Sequence, residues 1–307
     1  MAWTADHIPD QRHRVFLITG ANSGIGFETA KALADHDATV IMACRREGRA
    51  EDACERIREA VQGARLRIEQ CDLASLSSIE ACAHRLRKDA IAIDGLINNA
   101  GVMGVPYQET ADGFEAQFGI NHLGHFALTA HLLPILAPNS RIVTVSSEMH
   151  RRGSLAFDDV QLKHSYRRWQ AYANSKLANI LFSYELDRRL EKTNKPVKSV
   201  AAHPGYADTA LQQRSAGDSK IRQFCMSMAN SIFAQSAARG ALPILFAATY
   251  PSITRRSYFG PDGLFNMRGY PTESEPALAA RDVQTARNLW EHSRELTDIS
   301  PPLEQSL

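Results

Sequence analysis

The sequence predicts an α/β fold: a single doubly wound parallel β-sheet with helices on both faces. Three observations predict it. Short β-branched runs alternate with longer segments of helical periodicity, a glycine-rich stretch sits between the first such run and the first helix, and no Pro/Gly/Ser-rich linker or shift of composition divides the series. The 307 residues therefore read as one domain, with residues 1–13 as an N-terminal extension.

The elements follow in order. "RVFLIT" (14–19) is the first strand, followed by a helix from Gly24 to Ala34, the strand "ATVIMA" (38–43), a helix from about Glu47 to Val61, and the strand "RLRIEQ" (65–70). A helix near 76–88 leads to the strand "DGLINN" (94–99), and a long helix near 110–135 leads to "RIVTVSS" (141–147). A helix over 171–191 then precedes a sixth strand in the first half of "VKSVAAHPG" (197–205). Beyond Tyr206 the pattern loosens. Residues 206–249 suggest a loop followed by helices, and "SYFGPDGLF" (257–265) a last strand and turn. No period repeats along the chain.

Composition narrows the function class. The chain is 44% hydrophobic and 22% charged, and its 35 basic residues nearly cancel 34 acidic ones, so no charge excess recruits nucleic acid or an anionic membrane. Five scattered cysteines without CxxC spacing suggest neither a disulfide framework nor a structural zinc, and reduced cytoplasmic thiols are the expectation. The first fourteen residues hold no signal-like apolar run, and no stretch approaches the roughly 20 apolar residues of a membrane span. His122 and His125 could share a helix face, but no HExxH pattern or carboxylate cluster accompanies them, so no metal is expected.

"LITGANSGIG" (17–26) joins the first strand to the first helix. Glycines at 20, 24 and 26 allow a tight turn, close approach to a pyrophosphate and helix–strand packing, while the helix N-terminus offers unpaired N–H groups to phosphate. The spacing departs from GxGxxG. With TGxxxGxG from Thr19 to Gly26 and NNAG from Asn98 to Gly101, the chain resembles the short-chain dehydrogenase/reductase family. That resemblance implies a Rossmann fold with a helical substrate lid. It also implies a dinucleotide site drawn from Gly20, Ser23, Gly24, Ile25 and Gly26, from Asp72 and Leu73 near the adenine, and from Asn99, Ala100 and Gly101.

The end of the second strand bears on the choice of cofactor. An acidic residue there would accept from a ribose 2′-OH, whereas a cation suits a 2′-phosphate. Here Cys44 takes the acid's place and Arg45 and Arg46 follow, which favours NADP over NAD, with a solvated basic turn as the alternative.

"QAYANSKLANILF" (170–182) sets Tyr172 four residues before Lys176, one turn apart on one helix face. A phenol with a pKa of about 10 is a poor base, and a nearby ammonium would lower that value. Eight tyrosines and eight lysines give roughly 0.2 such pairs by chance, so the neighbours must decide. In the family the YxxxK pair follows a serine that ends strand five. Here "TVSSEMH" ends it, with Tyr172 25 residues beyond Ser147. The long gap resembles the retinol-dehydrogenase-like and WW-domain-oxidoreductase-like branch, which favours Ser147 over Ser146 and makes residues 151–169 an extra loop.

Asn121 in "FGINHLGHF" matches the family's asparagine, whose carbonyl holds a water next to the lysine. "HPGYADT" matches PGxxxT, placing Pro204, Gly205 and Thr209 near the nicotinamide, with His203 read as packing or capping.

By resemblance the catalytic set is Asn121, Ser147, Tyr172 and Lys176, with Tyr172 and Lys176 also touching the cofactor. The implied activity is that of a short-chain NAD(P)-dependent alcohol dehydrogenase or carbonyl reductase. Its partner would be a lipophilic small-molecule carbonyl or alcohol under an apolar lid that includes Phe224, Met226, Met228, Ile232 and Phe233. Alternatives are a C=C reductase, a sugar-nucleotide epimerase, whose branch favours a different glycine spacing, or a non-catalytic NADP-sensing protein. The resemblance also implies a homodimer or homotetramer formed through the helices near 110–135 and 171–191.

Overall fold

The computed structural model describes residues 2–193, 195–206 and 235–303. Eight strands form one sheet: β1 (Val15–Thr19), β2 (Thr39–Cys44), β3 (Arg65–Gln70), β4 (Ile93–Asn98), β5 (Leu136–Val145), β6 (Lys198–Ala202), β7 (Tyr258–Pro261) and β8 (Pro271–Glu273), in the order β3-β2-β1-β4-β5-β6-β7-β8. The first seven run parallel and β8 closes the edge antiparallel to β7. The winding reverses at β1, which pairs with β2 on one side and β4 on the other. Ligands of such sheets bind in the crevice that this reversal opens beyond the carboxyl ends of the strands.

Apolar alternation explains the layers. Phe16 and Ile18 of β1 join Val40 and Met42 of β2 in a core with α1 (Gly24–Asp35) and α2 (Glu47–Ala60). Leu17 and Ile41 face the other way, into a core with α3 (Leu76–Lys88). Successive residues of a strand point to opposite faces, so a sheet covered on both sides needs an unbroken apolar run, and Phe16, Leu17 and Ile18 are all fully buried.

Several segments differ from the sequence-based expectation, among them β5, which begins five residues earlier than expected. The predicted helix at 110–135 begins later, as α4 (Ala116–Phe118), because the Glu115 carboxylate caps it by accepting from the N–H groups of Gln117 and Phe118 at 2.9 and 2.7 Å. It passes through a π-helical turn, Gly119–Leu123, before continuing as α5 (Gly124–Leu132). The helix carrying Tyr172, α6 (Arg168–Lys192), starts three residues earlier than predicted.

In the C-terminal third, α7 (Ala237–Thr249) packs against α1. The unanticipated α8 (Val283–Thr297) lies across α6. Asp282 caps α8 through Thr285 N at 2.6 Å, and its apolar stripe of Ala286, Leu289 and Trp290 is buried. Trp290 stacks on Phe182 of α6 at 6.1 Å and meets Phe126 of α5 edge-on at 5.2 Å. Helix α8 thus packs on α6, one of the two helices through which the resemblance implies association of subunits. Among the described residues, no helix is long and apolar enough to cross a membrane.

Candidate active site

A groove opens at the carboxyl ends of β1, β2 and β4. The expected residues Gly20, Ser23, Gly24, Ile25, Gly26, Arg45, Asp72, Leu73, Asn99, Ala100 and Gly101 all line it. Arg46, noted with Arg45 in the sequence, also lines it, and the structure adds Asn22, Arg49, Val102 and Ile120, of which only Arg49 had a visible signal, standing in the same basic string. Gly20 holds φ +66°, which an L side chain rarely adopts, and a Cβ on Gly26 would run into the Gly20 carbonyl and come within 2.6 Å of Asn99 Nδ2. The resulting cradle of bare backbone, with three arginines on one wall, fits a dinucleotide carrying phosphates.

One hydroxyl organises the groove's floor. Thr19 Oγ1 accepts from the N–H groups of Asn99 and Ala100, each at 2.9 Å, and lies 2.9 Å from His125 Nε2. His125 Nδ1 is 2.9 Å from the Asn121 carbonyl, so it carries the ring's proton and Nε2 accepts from Thr19. Burial pushes His125 down to about 4, keeping it neutral near pH 7. The chain β1–His125–Asn121 thereby ties the glycine loop, the NNAG turn and the π-helical turn together.

Thr19→Val keeps the shape but leaves two partly buried N–H groups and the buried His125 ring nitrogen unpaired. At about 1–3 kcal/mol for the buried ring nitrogen and less for the two N–H groups beside the groove, we expect a loss of about 2 kcal/mol or more in denaturant unfolding, with Thr19→Ser restoring most of it. A Val variant within about 1 kcal/mol of the parent would contradict this role for the hydroxyl.

Of the four expected catalytic residues, Asn121 and Lys176 stand beside Gly101, and Tyr172 neighbours Lys176. The Ser147 hydroxyl lies near enough to the Tyr172 phenol to act on its pKa. Ser146 is turned away and donates to the Lys176 carbonyl at 2.7 Å, which separates the two serines on geometric grounds. Lys176 Nζ donates to the Val145 carbonyl at 3.1 Å, lies 5.7 Å from the Tyr172 ring centroid, and would stand 3.7 Å from a Cβ on Gly101. Asn121 Nδ2 donates to Val102 O and Ser175 Oγ, each at 2.9 Å, and its Oδ1 accepts from Val102 N at 2.8 Å. Its backbone carbonyl meets His125 inside the π-helical turn, an irregularity found often at functional sites.

The expectation that the lysine lowers the tyrosine's pKa meets a counter-effect. Burial dominates and pushes Tyr172 up to about 12, with the Ser147 hydroxyl acting in the opposite direction. Lys176 is pushed down to about 8, also by burial. The phenol is therefore protonated at neutral pH, poised as an acid.

The extra loop before Tyr172 is pinned at several points. Tyr166 Oη donates to Val105 O at 2.9 Å and contacts buried Glu115 at 3.1 Å, while Gln117 Nε2 donates to Tyr166 Oη and Arg168 O, each at 2.8 Å. Pro204 and Gly205 follow β6, and Gln235 Nε2 donates to Pro204 O at 2.6 Å. They are not among the groove-lining residues. Thr209 and the apolar lid segment lie outside the described residues. His203 is fully buried, stacked on Tyr258 at 5.1 Å, with Nδ1 accepting from Gly205 N at 3.2 Å. His122 Nε2 bonds Ser293 Oγ at 2.8 Å, so this ring ties the π-helical turn to α8.

The family model described as short chain dehydrogenase matches residues 14–220. Retinol dehydrogenase 14 of Mus musculus is 39% identical over 300 residues, covering 93% of this chain and 86% of that protein. Polyprenol dehydrogenase of Mus musculus is 36% identical over 296 residues, with 94% and 85% covered. A crystal structure of an uncharacterized protein from Mycobacterium paratuberculosis superposes with a TM-score of 0.82 at 38% identity, covering 98% of this chain and 100% of that one.

Proposed function

The chain belongs to the short-chain dehydrogenase family, in its retinol-dehydrogenase-like branch, and from that premise we propose that it is an NADP-dependent oxidoreductase acting on the carbonyl or alcohol carbon of a lipophilic small molecule. The cluster of Ser147, Tyr172 and Lys176, with Lys176 beside the groove-lining Gly101, carries this reading. A bound nicotinamide supplies the hydride. Ser147 Oγ and Tyr172 Oη both donate to the substrate's carbonyl oxygen, stabilising the charge that builds there, and Tyr172 then gives up its proton to that oxygen. Lys176 is positively charged at neutral pH and favours the phenolate left behind. A purely sensing role would need none of these four side chains.

NADP is favoured by Arg45, Arg46 and Arg49, which line the groove at the end of β2 and make no ion pair among the described residues. A lipophilic substrate is favoured by the apolar alcohols named for the relatives and by Met149 and Trp169, which line a cleft beside the pair. NADPH oxidation screened against aldehydes, ketones and quinones tests the activity, and no turnover across such a panel would remove it. For the cofactor, the Arg45→Ala/Arg46→Ala double variant is expected to lower the ratio of NADPH to NADH efficiency by about 10-fold or more, since a charge-assisted hydrogen bond contributes about 1.5–3 kcal/mol. An unchanged ratio would remove NADP preference from these residues.

A further inference from the structure

Next to the Ser147–Tyr172 pair lies a cleft of about 480 Å³ lined by Met149, Arg152, Arg167, Arg168, Trp169 and Gln170. Its place relative to the chemistry follows from the chain. Met149 is two residues beyond Ser147 and donates its N–H to Ser147 Oγ at 3.2 Å. Trp169 and Tyr172 are three apart on α6, so they share a face about one turn, roughly 5 Å, from each other.

Three arginines line this cleft, Arg152 and Arg167 exposed and Arg168 half-buried, and a carboxylate commonly pairs with such a group. Arg151 has such a partner, pairing with Glu148 at 2.6 Å. Arg152, Arg167 and Arg168 make no ion pair and no side-chain hydrogen bond among the described residues. Two of them stand at the start of α6, which has no acid in its first turn, so its dipole works against rather than for their charge. The same arrangement, three unpaired arginines lining a cavity, recurs at Arg45, Arg46 and Arg49, where a phosphate is expected.

The backbone that carries these arginines is fixed. Gln117 Nε2 holds Arg168 O at 2.8 Å, Gln170 Nε2 holds Arg152 O at 2.9 Å, and Gln117 Oε1 accepts from Gly104 N at 2.7 Å. Gly104 itself lies against Trp169, whose ring would be 3.0 Å from a Cβ there. Such a rigid frame limits the ordering cost of binding.

We propose that this cleft binds an oxyanion, a carboxylate or a phosphate, carried by the substrate itself at the far end of an apolar or aromatic body from the reacting carbonyl. The inference rests on the oxidoreductase reading and narrows its substrate class: the molecule is lipophilic in the middle and anionic at one end. Trp169 and Met149 contact the apolar body, and the guanidinium forks take the oxyanion by paired N–H donors.

Two aldehydes that differ only in charge test it. Wild-type enzyme with NADPH is expected to favour 4-carboxybenzaldehyde over methyl 4-formylbenzoate by about 10-fold or more in kcat/KM. In Arg152→Gln/Arg167→Gln the ratio falls toward one, through KM for the acid. A ratio of one or less in the wild type, or a preference that survives both substitutions, overturns the proposal. Calorimetric titration of the NADPH complex with 4-methylbenzoate, 4-methylphenyl phosphate and neutral 4-methylbenzamide separates this outcome from failure of the parent reading. Arginine-dependent binding of either anion without turnover of any aldehyde keeps the site and removes the oxidoreductase. Turnover of both aldehydes alike with no anion binding does the reverse. The phosphate binding tighter than the carboxylate would keep the site and name phosphate as its group.

Discussion

Tyr172→Phe is expected to lower kcat for NADPH-dependent reduction by about 10³-fold, within the range that a positioned general acid contributes, while NADPH binding stays within about two-fold. Tyr172 is only 5% exposed, so the phenyl ring retains its packing while the proton donor is lost. Because burial holds the phenol's pKa near 12, the group is protonated throughout the working range and serves first as an acid. Its loss removes an interaction that strengthens in the transition state, so kcat and kcat/KM should fall together. Steady-state rates beside a fluorescence titration of NADPH give both quantities. Residual activity above about a tenth of wild type would mean that another group delivers the proton.

Acid should unfold the protein well above the pH at which its carboxylates protonate. His122, His125 and His203 are buried and held down to about 3, 4 and 3 respectively, mainly by desolvation. An unfolded histidine titrates near 6.5, so below that value the unfolded state binds protons that the folded state refuses. Stability from these three groups is complete above about 6.5 and is lost as pH falls through the window toward 3–4. At pH 5 the loss is close to 2 kcal/mol for each ring, about 6 kcal/mol together, and depends little on how far below 5 the folded values lie. That is of the order of a whole domain's stability. Urea melts at pH 7 and pH 5 measure it, and equal unfolding free energies at the two values would refute it.

Much of the sheet was legible because its code is local. Buried parallel strands need runs such as "RVFLIT", and the turn after β1 needs glycine where φ is positive. The preference for Ser147 over Ser146 came from the resemblance of the long gap before Tyr172 to one branch of the family, and the structure turns Ser146 toward the Lys176 carbonyl. What escaped depends on contacts distant in sequence. Thr19 and His125 meet across 106 residues, and Tyr166 and Glu115 across 51, so neither partner's role shows in its own neighbourhood. The π-helical turn at Asn121 has no composition signal of its own. The sense of the tyrosine's pKa shift was missed for a related reason: the ammonium's proximity can be read from an i, i+4 spacing, whereas the depth of burial that outweighs it cannot. Helix α8 was different, since Asp282 and the spacing of Ala286, Leu289 and Trp290 were visible, and an amphipathic pattern there could have been read.

Helix α8 also determines how the catalytic helix responds to dilution. A helix whose back is covered by another subunit loses that cover when the protein falls below the dissociation constant. Here the cover is tethered: Trp290 on Phe182, Ser293 on His122 and Glu291 on Arg189 all belong to the same chain. Docking of α8 is a unimolecular event, governed by an effective concentration set by the linker and not by the amount of protein present. The share of the support behind Tyr172 and Lys176 that α8 gives is therefore independent of protein concentration.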